Sequence, residues 1–487
     1  MIAFSMPLRS LCLAVCALLA HGIPATPVDV SLGLTASEIA VVVNAADPQS
    51  VTVGAAYAAQ RGVPASQVVR LTFPTAPNLP RAAFAPLKAQ LDAALPATVQ
   101  ALVLTWLWPY QVDCMSVTSA FSLGFNTSFC GQCTPTAPSP LYNSTSTRPF
   151  TDFGVRPSFL LAGWSAHSAL RTLAAGVASD GTHPKGDGFA FRTFDVARSV
   201  RFQEFQAAAA EMVGRVNQTY QDCRAPNCSD WGYLVSHSSV LTYWQSIARV
   251  ANLSTNTFLP GAVGDHLTSY GGVLTNTSGQ MPCLEYTEAG ATASYGTVVE
   301  PCNFCQKFPD PSVFWPFYAA GGTLVEAYWK SVAWPGEGLF VGEPLASPYT
   351  TSISGTAAPA PEPAPGSAQG LRLQLSHPLP QGRYALRVCS GSASAGVLGC
   401  GESVAAVEVP AAGSPGGATG AGAGTELHFP GLASLAGAQA ASSRMLLQRV
   451  GVAAAPAGAG ALAGSSDPDG CPPAIAAVPL SPARAED

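Results

Sequence analysis

Three short apolar runs separated by two helical segments constrain this chain more than any other feature. Ser37–Asn44 (SEIAVVVN), Val68–Phe73 and Val99–Trp106 (VQALVLTW) are rich in aliphatic and β-branched residues. Runs of this length and apolarity read as strands buried on both faces, as in a parallel sheet. Between them, Ser50–Arg61 reads as a helix with Ser50 as N-cap and Gly62 as its stop. Arg81–Leu95 places Phe84, Leu87, Leu91 and Leu95 on one helical face. A β-α-β-α-β order of this kind predicts an α/β domain, its mainly parallel sheet covered by helices on both faces.

The pattern is then interrupted. Residues 107–157 are rich in Ser, Thr, Asn, Pro and aromatics and read as a Cys-rich insertion. Strand- and helix-like segments resume at Ser158–Trp164, Ser165–Val177 and Phe202–Arg215, and continue through Thr323–Trp329 to Gly338–Pro344. The α/β domain is expected to span 37–349. A Pro/Ala linker follows over 350–368. Three alternating runs within 369–410 read as a small β module. Residues 411–487, dominated by Ala, Gly, Pro and Ser, are expected to be disordered.

The first 22 residues read as a secretory signal: Arg9, then the apolar run Leu11–Ala20, then the small-x-small site Ala20-His21-Gly22. The run is too short to span a bilayer, and no later stretch is long enough. The chain holds thirteen cysteines; removing Cys12 and Cys16 with the signal leaves eleven. Export makes most of these disulfide candidates, chiefly Cys130, Cys133, Cys223, Cys228, Cys389 and Cys400. Cys130-Gly-Gln-Cys133 also fits a redox pair or half a zinc site, with a structural bridge preferred. Six sequons, at Asn126, Asn143, Asn217, Asn227, Asn252 and Asn276, are glycosylation candidates. A net charge of -6 with 11% charged residues offers no basic patch for nucleic acid.

Chemistry concentrates between Phe258 and Cys305. Two small-residue apolar segments, Phe258–Val263 and Ala291–Val299, read as strands that run into Gly264-Asp265-His266 and Glu300-Pro301-Cys302. In open α/β sheets, ligands and catalytic groups gather beyond the C-terminal ends of strands. A thiolate nucleophile needs a nearby base, and His266 and Cys302 are the candidate dyad. Backbone N–H groups at Gly271 and Gly272 are candidates for an oxyanion hole. Asp265 and Glu300 are alternative acid/base residues, or metal ligands together with His266. Ser269 beside His266 is a weaker nucleophile option, lacking a G-x-S-x-G elbow. For Cys302 three fates are open: a bridge, with Cys305 or Cys283 as partners; a reactive thiol; or a buried free thiol. Asp180, His183 and Asp187 form a turn-rich loop that is a weak metal-ligand candidate and reads better as a solvated turn. Trp315, Phe317, Tyr318, Tyr328 and Trp329 could line a groove but fit a core helix face better.

His followed by Cys at the tips of neighbouring strands resembles caspase-like cysteine peptidases, including the gingipain type. That resemblance implies a caspase-like sheet; a flavodoxin-like one is the other candidate. It departs from their local motif, since Leu267 follows the His where Gly is usual. Residues 37–349 also resemble an uncharacterised family of secreted microbial proteins without an assigned function. The likeness rests on VVVNAADPQSV, YAAQRGVP, SDGTHPKG, FDVARSVR, GAVGDHLTSYGG, GATASYGTVVEPCNFCQKFP and EAYWKSVAWPGEGLFVGEPL. Two functions follow as expectations. One is a secreted caspase-like cysteine hydrolase using His266 and Cys302. The other is a non-catalytic extracellular module, stabilised by disulfides, that binds a peptide, cell-surface or matrix ligand. No cofactor is expected for either.

Overall fold

The computed structural model describes residues 26–212, 216–224, 228, 232–275, 279–351, 353–359, 371–376, 382–390, 399–409, 426–429 and 443–451. The expected signal, residues 1–22, lies outside these, as do the sequons at Asn227 and Asn276. The described residues divide into two units, one of 31–352 with 449–451 and one of 26–30 with those between 353 and 448.

The larger unit is an α/β fold around a ten-stranded sheet. Its strands are β1 (Ile39–Asn44), β2 (Val68–Leu71), β3 (Ala101–Leu104), β4 (Ser158–Leu160) and β5 (Asp187–Arg192). They continue as β6 (Asn217–Asp222), β7 (Val240–Gln245), β8 (Phe258–His266), β9 (Ala293–Thr297) and β10 (Gly338–Gly342). Their spatial order is β6-β5-β7-β8-β9-β10-β4-β3-β1-β2. Every neighbouring pair is parallel except β9 and β10, which run antiparallel with Thr297 opposite Gly338 and Ala293 opposite Gly342. The sheet is therefore two parallel halves of opposite direction, joined at one seam. The half ending in β2 follows the 2-1-3-4 order of flavodoxin-like sheets.

The apolar runs form strands because both of their faces are covered. Ile39, Val41 and Val43 pack in one core with Val53 and Tyr57 of the helix Pro48–Arg61. Ala40 and Val42 face a second core with Phe84 and Leu91 of the helix Arg81–Ala94. This two-residue alternation is the pleat itself. The helix Pro48–Arg61 starts two residues before the expected boundary. Asp47 is its N-cap, accepting from Gln49 N at 2.9 Å, and Pro48 is pre-set for the first turn. Ser50 is instead buried, its Oγ accepting from Asn44 N at 2.9 Å. The five aromatics from Trp315 to Trp329 are buried core, as their helical spacing suggests.

The insertion at 107–157 is tied down by disulfides, though not within its own C-x-x-C. Cys130 bonds Cys114, and Cys133 bonds Cys302. Cys223 bonds Cys228 as expected. These bridges fit an oxidising compartment. Among the described residues, no helix is long and apolar enough to cross a membrane.

The smaller unit is a seven-stranded sheet that redraws the expected C-terminal boundaries. Ile353–Pro359 lies in the range expected as a linker, yet it is a strand, paired antiparallel with both Thr26–Ser31 and Leu371–Leu375. Glu426–Phe429 and Ser443–Gly451, in the range expected as a disordered tail, are strands as well. Cys389 and Cys400 stand opposite each other across the pair Gly382–Ser390 and Gly399–Val409.

Candidate functional site

β8 runs further than its apolar segment suggests and carries Asp265 and His266 as its last two residues. Successive strand residues point to opposite faces. Asp265 enters one face and forms a fully buried ion pair with Arg201, whose Nη1 also donates to Pro309 O at 3.0 Å. Burial raises the Asp265 carboxyl, and the guanidinium opposes that shift. Nearby, burial and then Asp310 lift the Glu204 carboxyl well above the usual carboxylate range. His266 enters the other face, 1% exposed, beside Tyr286. Its Nε2 lies 3.0 Å from Met281 O. A carbonyl only accepts, so Nε2 carries the hydrogen. Burial pushes the imidazole down to about 3, with the carbonyl partly offsetting this. This ring is a buried neutral donor rather than a base facing a cleft.

Cys302 is not a free thiol. Its disulfide with Cys133 consumes the nucleophile of the expected dyad, so no His266–Cys302 pair exists in this state. Its expected partners differ as well: Cys305 is disulfide-bonded but not to Cys302, and Cys283 is free and buried, its thiol raised by desolvation. Cys302 sits in the left-handed region at φ 50°. Glu300 steadies that turn: its Oε1 accepts from Cys302 N at 3.0 Å and from Ser269 Oγ at 2.9 Å. Ser269 thus pairs with Glu300 instead of His266, and Asp265, His266 and Glu300 do not form one metal set.

Of the two N–H groups expected as an oxyanion hole, that of Gly272 is engaged: it donates to Thr297 O at 2.8 Å, while Gly271 O accepts from Cys283 N at 2.7 Å. These glycines serve a close backbone approach, because a Cβ on Gly296 would collide with Gly271 C. In the loop near Asp180, His183 and Asp187, Asp180 pairs with Arg61 while Asp187 accepts from Asn217 Nδ2 and Ser239 Oγ. That loop gathers no metal set. Asn126, Asn217 and Asn252 are exposed and Asn143 is half-buried.

Sequence reasoning missed the arrangement beneath the disulfide. Glu337 Oε1 accepts from Gly131 N at 2.8 Å and Gln132 N at 2.6 Å, and its other oxygen pairs with Lys307 at 2.7 Å. Lys307 Nζ also donates to Gln132 O. The two charged side chains are 0% and 1% exposed. The available signal was two charges set in the apolar, aromatic stretches around CNFCQKFP and AWPGEGLF, in a chain with few charges. Cys133 Sγ, Cys302 Sγ and a Glu300 carboxylate oxygen lie within 4.8 Å of one another, the donor set among the described residues that could hold a metal. Comparison with protein families, curated proteins and solved structures finds no match for this chain.

Proposed function

We propose that this chain is an exported, non-catalytic binding module, stabilised by disulfides, for a peptide, cell-surface or matrix ligand. The observation that carries the reading is the Cys133–Cys302 bridge, which takes the thiol that the hydrolase would need and uses it to hold the insertion against the end of the sheet. Burial of His266 as a neutral donor to Met281 O supports the same reading. The apolar N-terminal run and the exposed sequons support export.

Alkylation of the secreted protein in denaturant without reductant, followed by digestion and mass spectrometry, tests the non-catalytic half. The expected product is a linked pair of peptides containing Cys133 and Cys302. A Cys302 that is labelled instead overturns the reading and returns the chain to the cysteine hydrolases. Retention of the labelled protein on cells, or on peptide- or matrix-coated surfaces, tests the binding half; absence from all of these overturns it.

A further inference from the structure

The bridge that removes Cys302 from nucleophilic chemistry also assembles a donor set. Cys133 is exposed, and Cys302 and Glu300 are half-buried, so a reductant in solution reaches this bond. The Cys223 sulfur of another bridge is, by contrast, fully buried. What holds the two cysteines face to face does not depend on the bond between them. On one side, the buried Glu337–Lys307 pair grips the backbone of Gly131 and Gln132, directly before Cys133. On the other, Glu300 holds Cys302 N and is itself held by Ser269 Oγ. Opening the bridge leaves two thiols and a carboxylate on anchored backbone.

We propose that the reduced form of the Cys133–Cys302 bridge is a metal site for zinc or a similar thiophilic divalent cation, with Cys133, Cys302 and Glu300 as ligands. The redox step balances with a dithiol. The dithiol gives up two electrons and two protons and closes to its own disulfide, while the protein S–S bond becomes two thiols. The cation then displaces both thiol protons to water. Two thiolates select zinc, cadmium or cobalt over magnesium and calcium, which prefer all-oxygen sets. Zn–S bonds of about 2.3 Å at a tetrahedral angle separate the sulfurs by about 3.8 Å. The Cα atoms, 4.9 Å apart, allow this by side-chain rotation. Three protein ligands leave the fourth position to water, the pattern of an open site.

The test uses the full secreted protein, reduced with a phosphine so that no competing small thiol is present, and titrated with Co(II) and Zn(II). One equivalent of Co(II) is expected to give sulfur-to-cobalt charge-transfer absorption, displaced by Zn(II). In the same wild-type sample, Zn(II) is expected to protect Cys133 and Cys302 from alkylation and to leave Cys114 and Cys130 labelled. Glu300→Gln, which keeps the acceptor for Cys302 N, is expected to weaken binding by at least about tenfold, on the scale of a lost contact around a bound metal. Cys114→Ser/Cys130→Ser is expected to bind like wild type. No cobalt spectrum, protection of other cysteines, or an unchanged affinity in Glu300→Gln each overturns the assignment.

Discussion

His266 illustrates how burial decides the role of a residue. An imidazole that titrates near 6.5 in the unfolded chain and near 3 in the fold binds its proton only after unfolding. Its folded value is depressed, so the folded state is favoured above the unfolded value. That contribution is lost as pH falls from about 6.5 toward about 3, by at most about 1.4 kcal/mol per pH unit. Urea midpoints should therefore drop between pH 7 and pH 4. In His266→Gln, which keeps an N–H for Met281 O, the baseline stability should be lower and the drop shallower. Equal slopes in the two proteins would refute the assignment. The sequence made this His visible, because it follows an apolar strand, but could not show its surroundings: Met281 and Tyr286 come from the following crossover, 15 and 20 residues on. The partner of Cys302 was less visible still, 169 residues away in the insertion.

At the scale of elements, two glycines that look alike in sequence do different work. Gly62 ends the helix Pro48–Arg61 at φ 68°, and a Cβ added there would meet nothing within 4 Å. Gly62→Ala should cost only about 1 kcal/mol, the conformational penalty alone. Gly296 lies in the middle of β9, where a side chain would press into the Gly271-Gly272 backbone. Gly296→Ala should destabilise by well over that amount, since main chain cannot move aside as a side chain can. Denaturant melts of the two variants should be widely separated; similar losses would mean that the Gly271–Gly296 contact is soft. β1 was legible because burial on both faces leaves a continuous apolar run. The strand Ile353–Pro359 was hidden because Ala and Pro spell a linker by composition, and its pairing partner Thr26–Ser31 stands more than 300 residues earlier.

For the whole molecule, the two units assign the N-terminal strand to the smaller one: Thr26–Ser31 pairs with Ile353–Pro359 in its sheet. A chain covering residues 31–352 should therefore fold alone, retain the helical far-UV signal and unfold cooperatively; a molten product would show that the larger unit needs the smaller. The parallel sheet was legible in outline from the β-α-β-α-β order. The antiparallel seam between β9 and β10 was not, because direction within a sheet depends on where the helices of the 298–337 connection return the chain. The Cys133–Cys302 bond has one further effect. It closes the chain from β4 to β9 into a covalent ring. A protease that cuts once anywhere between those two cysteines opens the ring without releasing a fragment. A molecule nicked there stays in one piece until a reductant reaches the bridge.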